Sequence, residues 1–224
     1  IGTDSPGALL HINGTGDAIR VESTNTGAGG AQMDLLHYST SPADNDTMAY
    51  INMGGYYNTT PSQAYFSSIR TVATDISARQ GELTFWTVNT TLQQRMVIDT
   101  DGNVGIGTSS PSSYDGEADN LVVYDAITPG ITIALPQTTA AGSARGSVLF
   151  ADGTSGSQKY RGGVIYDHGT GMGGVADTMY LRAAVNSYLV LDASGNVGIG
   201  TKTPTSPAGV ARFLEIHGST AGIV

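Results

Sequence analysis

Asp99-Thr100-Asp101-Gly102-Asn103-Val104-Gly105-Ile106-Gly107-Thr108-Ser109-Ser110-Pro111 and Asp192-Ala193-Ser194-Gly195-Asn196-Val197-Gly198-Ile199-Gly200-Thr201-Lys202-Thr203-Pro204 are two copies of one pattern, and their reading decides the fold class. Each follows an apolar run, Met96-Val97-Ile98 in one case and Leu189-Val190-Leu191 in the other. The sequence therefore reads as strand, tight turn, strand. Gly and Asn make the turn because both tolerate positive φ, and the closing Pro ends pairing because it has no N–H to give. A shorter third copy, Ile1-Gly2-Thr3-Asp4-Ser5-Pro6, opens the chain.

Outward from the motif the repetition continues. Leu10-His11-Ile12, Leu121-Val122-Val123 and Leu214-Glu215-Ile216 read as half-buried strands. A second strand is expected soon after, with Ala18-Ile19-Arg20-Val21 matching Gly130-Ile131-Thr132-Ile133 and Gly222-Ile223-Val224. Tyr65 to Ile69 resembles Tyr160 to Val164, and Leu83-Thr84-Phe85 resembles Met179-Tyr180-Leu181. The expected organisation is a first unit over 1–105, a second over 106–198 and the start of a third over 199–224. The longer first unit carries an insertion near 39–61, read as a decorated loop or an extra hairpin. A chain that starts and stops inside a unit is expected to be an excerpt of a longer polypeptide.

Composition sets the limits. Leu, Ile, Val and Phe make up only about a fifth of the 224 residues, near the level at which burial no longer offsets chain entropy. Thr favours strands and Gly punctuates turns, so the expected class is all-β. The net charge of -9, with only two lysines, Lys159 and Lys202, argues against nucleic acid and anionic membranes as partners. Cysteine is absent, so thiol chemistry and disulfides are excluded. No apolar run approaches the roughly 18 residues of a membrane helix.

The motif Asp-Gly-Asn-Val-Gly-Ile-Gly-Thr-x-x-Pro, followed by a Leu-x-Ile strand, resembles a repeat of bacteriophage tail fibres and tailspikes, where it often precedes an intramolecular chaperone domain. The resemblance is strongest at Asp101 to Pro111; Ser194 to Pro204 has Ser in place of the Asp. It implies tandem β-rich units in an elongated homotrimeric fibre on the virion tail, extracellular and without enzymatic activity. A chain short of its own core is suited to that, since it can bury apolar strips against neighbouring copies.

Candidate chemistry is sparse. Asp99-Thr100-Asp101-Gly102-Asn103 is similar to the start of a calcium loop, but its copy replaces the second carboxylate with Ser194 and neither has the later bidentate Glu, so we read a structural turn and no metal. Gly169-Thr170-Gly171-Met172-Gly173-Gly174 has the spacing of a dinucleotide loop but precedes a β-like run instead of a helix, so a hairpin loop is expected and no cofactor. His11, His37, His168 and His217 lack zinc spacing, and the Asp115/Glu117 pair is too weak a signal for glycoside hydrolysis. No catalytic residue is assigned. Asn13, Asn45, Asn58 and Asn89 begin sequons that read as turn residues in a phage or bacterial protein. Tyr65, Phe66 and Trp86 are expected to pack within the sheet. Tyr56 and Tyr57, framed by Gly54, Gly55 and Asn58, are the candidate residues for stacking on a host-surface glycan.

The sequence thus points to a structural segment of a virion fibre that presents host-recognition elements. Two alternatives stand beside it: a subunit of a bacterial surface filament or adhesin built by strand addition, and a polysaccharide-degrading tailspike.

Overall fold

The computed structural model describes residues 8, 10, 19–24, 27, 30–57, 62–135, 144–184, 187–205, 207 and 212–218. The chain divides into two units, Ile1–Gly130 and Ile131–Val224, each holding one six-stranded sheet. The first sheet contains β1 (Thr47–Tyr56), β2 (Gln63–Asp75), β3 (Gln80–Asn89), β4 (Thr91–Ile98), β5 (Val104–Ile106) and β6 (Leu121–Val123), hydrogen-bonded in that order. The second contains β7 (Arg145–Phe150), β8 (Gly162–Asp167), β9 (Thr178–Ala183), β10 (Ser187–Leu191), β11 (Val197–Ile199) and β12 (Leu214–Ile216), again in sequence order. In both, the first five strands form an antiparallel meander and the sixth pairs parallel to the fifth. The protein is all-β, and one topology is used twice.

The repeated motif makes the last three strands of each sheet. Its turn closes with Asp99 N–H donating to Asn103 O at 3.0 Å and Gly102 N–H to Asp99 O at 3.1 Å, with Gly102 at φ +87°. The Asp99 side chain holds this turn from inside. Its Oδ1 accepts from Asp101 N–H at 3.0 Å and Asn103 N–H at 2.8 Å, and Ser112 donates its hydroxyl to Oδ2. Asp192 repeats the arrangement, accepting from Ser194 N–H at 2.9 Å and Asn196 N–H at 2.8 Å.

After β5 the chain must travel to return parallel, which a tight hairpin cannot do. It turns at Gly107, φ +78°, in a place with no room for a side chain: a Cβ there would lie 2.1 Å from Tyr124 O, at the end of β6. Gly200 is the same, with φ +76° and His217 O at 2.3 Å. The connection then folds back over its own sheet, laying Thr108 across Gly105 and burying Pro111, as Thr201 and Pro204 lie across Gly198. Residues 107–120 in the first unit, and 200–205 in the second, thus lie over part of one face of each sheet, around Gly105 and Gly198.

That covered face is where the interior lies. In the second unit Ile165, Met172, Tyr180, Tyr188 and Val190 form a cluster, with the rings of Tyr180 and Tyr188 edge to face at 5.8 Å. In the first, the corresponding positions are more polar: Val97 and Val122 are buried beside Thr84 and Ser68. Trp86 Nε1 donates to Thr84 Oγ1 at 2.8 Å, and the Arg70 guanidinium lies 4.7 Å from the Trp86 ring centre.

Several expectations need revision. The second strand after the motif does not form: 131–135 contains no strand and Ile131 is exposed. Ile19 to Val21 is likewise exposed and without strand structure. Ala18, His11, Ile12, the motif at 1–6 and 222–224 lie outside the described residues. The first sheet runs from β1 to β6 and so includes residues on both sides of position 106. Within 39–61 lies β1, which holds in the first sheet the place that β7 holds in the second, and its ladder with β2 has a bulge at Met53/Gly54.

Two measurements test the motif. Gly102 and Gly107 both have positive φ, but only Gly107 faces a backbone oxygen at sub-contact distance. Gly102→Ala is expected to cost about 1 kcal/mol and Gly107→Ala at least about 3 kcal/mol in denaturant unfolding; equal losses would contradict the close approach. The second concerns acid. Burial pushes the Asp99 carboxyl upward, but hydrogen bonds from Ser112, Asn103, Asp101 and Gly102 outweigh it and hold the pKa below the ordinary 3.8. Asp99 therefore contributes stability above about pH 4 that is lost as pH falls through its folded value. Glu82, raised first by burial and then by Asp99, is mostly protonated in that range and adds little to the slope. Below pH 4 the wild type should lose stability more steeply than Asp99→Asn; parallel acid limbs would remove Asp99 from this role.

Candidate interaction surface

In a strand, successive side chains point to opposite faces, so a face is read by following register partners across the sheet. One step from the buried row of the second sheet lies Val148–Val164–Leu181–Leu189–Ile199–Ile216, one residue from each of the six strands and each directly opposite the next. All six are aliphatic. They are 37–51% exposed. A second row on the same face runs Tyr166–Met179–Leu191–Val197–Leu214.

The first sheet carries the same feature at the matching positions. Ile51–Ile69–Phe85–Met96–Ile106–Val123 crosses all six strands in register. Ile51 and Ile106 are exposed and the other four half-buried. Neither six-residue row contains a charge or a hydrogen-bonding side chain. Among the described residues eight apolar side chains are buried, whereas thirty-seven large ones are exposed. Scattered exposed hydrophobics need no explanation, but an unbroken apolar row across a whole sheet, present twice, marks an interaction surface.

The aromatic residues divide differently from the sequence expectation. Trp86 is partly buried and hydrogen-bonded within its sheet. Tyr65 and Phe66 do not pack inside: they are 62% and 49% exposed. Tyr56 ends β1 and Tyr57 follows it, with Tyr57 N–H donating to Ser62 O at 3.4 Å. Both rings are exposed, at 66% and 60%. Gly54 belongs to the bulge below them, where a Cβ would meet Ala64 O at 2.1 Å. Asn58 lies outside the described residues.

The other candidates are dispersed. Asp115 accepts from Glu117 N–H at 3.0 Å, so the pair serves its own turn. Gly169 to Gly174 connects β8 to β9, and Asp167 accepts there from Gly169 and Met172 N–H at 3.1 and 2.7 Å. His168 rests edge-on against Tyr166 and lies 3.5 Å from Asp177, while His217 lies 3.7 Å from Glu215. His37 is exposed. Asn45 has φ +69° in a turn before β1, and Asn89 ends β3; Asn13 is outside the described residues. Among the described residues no helix is long and apolar enough to cross a membrane.

No family model matches the chain, and no curated protein sequence matches it. Among solved structures the chain is similar to the carboxy-terminal domain of the bacteriophage T5 L-shaped tail fibre, at 12% identity and a TM-score of 0.39 over 92% of this chain and 98% of that one. It is also similar to the same domain solved with its intra-molecular chaperone domain, at 12% identity and a TM-score of 0.42 over 93% of this chain and 67% of that one. Likeness at this level carries no argument about role, which has to come from the chain's own surfaces.

Proposed function

We propose that this chain is a structural segment of a bacteriophage tail fibre, in which three copies associate through the apolar rows of their sheets and extend and present host-recognition elements. The observation that carries this reading is the recurrence of one six-residue row at repeat-equivalent positions in both sheets. A partner that engages both rows must itself carry two such surfaces, and another copy of this chain does so. The three-fold order and the virion location come from the motif's resemblance to tail-fibre repeats.

Magnitudes favour the use of both rows together. Completing the burial of a half-exposed aliphatic side chain gives on the order of 1 kcal/mol, so one row supplies about 6 kcal/mol per copy. Association costs roughly 4–15 kcal/mol in lost freedom. A single row is therefore marginal, whereas two on one chain, about 12 kcal/mol, offset most of that range.

Light scattering should give a discrete mass about three times 23.0 kDa. Leu181→Ala should raise the concentration at which that assembly dissociates about tenfold or more, and Phe85→Glu combined with Leu181→Glu should abolish it. A stable monomer of the unaltered chain would end the proposal, and filaments of indefinite length would favour the surface-filament reading instead.

The exposed Tyr56 and Tyr57 rings are the proposed glycan-stacking residues of this fibre. Replacing both with Ala should weaken adsorption of the fibre to host cells with no change in its mass. Unchanged adsorption would remove the tyrosines from recognition and leave the structural role in place.

A further inference from the structure

The second unit contains a cavity of about 600 Å³ lined by Arg145, Ser147, Leu149, Tyr160, Ile165 and Arg182. Its floor is the outer part of the sheet: Ser147 pairs with Ile165 in register across β7 and β8, and Arg182 comes from β9. Its wall is the short 3-10 turn Gly156–Tyr160, whose last residue contributes a ring and a backbone carbonyl. The volume falls in the range of small-molecule sites.

The two guanidinium groups are unusually under-used. Arg182 lies over the Tyr160 ring at 5.1 Å and donates from Nη2 to Tyr160 O, yet its Nε is buried with no hydrogen-bond partner. Arg145 donates from Nη1 to the Met172 thioether at 3.0 Å, a weak acceptor. The carboxylate opposite Arg145 in register is Asp167, fully buried, whose oxygens accept from Gly169 and Met172 N–H. Among the described residues neither arginine forms an ion pair, and no carboxylate lines the cavity. A chain of net charge -9 with ten cationic side chains thus places two of them, neither in an ion pair among the described residues, in one concavity. A buried donor left unmade is costly, and a guanidinium fork is matched to a planar carboxylate or a phosphate.

We infer that this cavity binds an acidic sugar, its oxyanion held between Arg145 and Arg182 and its ring lying against Tyr160 and Leu149, with Ser147 available to a hydroxyl. The site differs in chemistry from the exposed tyrosines of the first unit and does not depend on how many copies associate. An acidic surface elsewhere on the chain repels polyanions at long range, so selectivity arises from short-range pairing inside the cavity.

The test is calorimetric titration of the assembled protein at low ionic strength with three probes: glucuronate, glucose 6-phosphate and glucose. Glucuronate or glucose 6-phosphate should bind and glucose should not, and whichever anion binds identifies a carboxylate-bearing or a phosphate-bearing glycan as the source. Arg145→Ala combined with Arg182→Ala should lower the affinity at least thirtyfold. Leu149→Trp, which fills the cavity from an exposed position and leaves both arginines in place, should do the same. Absence of anion binding, or affinities unchanged in these variants, overturns the inference. So does dissociation of the assembly by the arginine variant, since the cavity would then hold an acidic side chain of a neighbouring copy.

Discussion

An antiparallel sheet can leave one face in water when that face is polar, but in this chain both faces of each sheet carry apolar side chains and the chain itself lies over part of only one. Residues 107–120 in the first unit, and 200–205 in the second, fold back over Gly105 and Gly198, where the absence of a side chain leaves room for Thr108 and Thr201. The same residues begin the connection to the parallel sixth strand, so the link that extends the sheet also shields part of it. Nothing comparable crosses the opposite face of either sheet among the described residues, and that asymmetry produces the exposed rows. Self-association is the response the proposal assigns to it.

The dependence on glycine follows from the same constraint. Gly107 and Gly200 stand where the chain leaves β5 or β11 against the carbonyl ending the parallel partner. A residue with a Cβ would meet both an unfavourable φ and a backbone atom, neither of which can relax without unpairing β6 or β12. The carboxylates of Asp99 and Asp192 secure the other end of the motif by collecting turn N–H groups. The motif thus encodes a fold-back, with glycines for approach, aspartate for the turn and proline to start the roof.

Much of this was legible in the residues. The turn at Asp99 to Asn103, the strands at 121–123 and 214–216, and the matches of Ile69 with Val164 and Phe85 with Leu181 follow from local spacing and repetition. The rows were less legible, because the six members of each are separated along the chain and meet only once register is known. Period two indicates that a strand has an apolar face, but not whether that face is roofed. For the same reason Tyr65 and Phe66 read as interior residues and are found exposed. The expected strand at 130–133 is not formed, because apolar alternation marks a segment able to pair and does not say whether a partner strand meets it.

The two sheets also divide their labour. Where the second buries Ile165, Tyr180 and Val190, the first has Arg70, Thr84 and Val97 in the same register, and its interior is held partly by hydrogen bonds among Ser68, Arg70, Thr84 and Trp86. A polar interior contributes less net stability per residue than an apolar one, because its hydrogen bonds replace others made to water. The first sheet also has the longer β1–β2 ladder, whose end presents Tyr56 and Tyr57. Its own interior is thus the weaker of the two while its bare row is just as apolar, so on the proposed reading the first unit depends more heavily on neighbouring copies. On that reading the unit that carries the exposed tyrosines is the one whose own interior leans more on assembly, which couples their presentation to the association of copies.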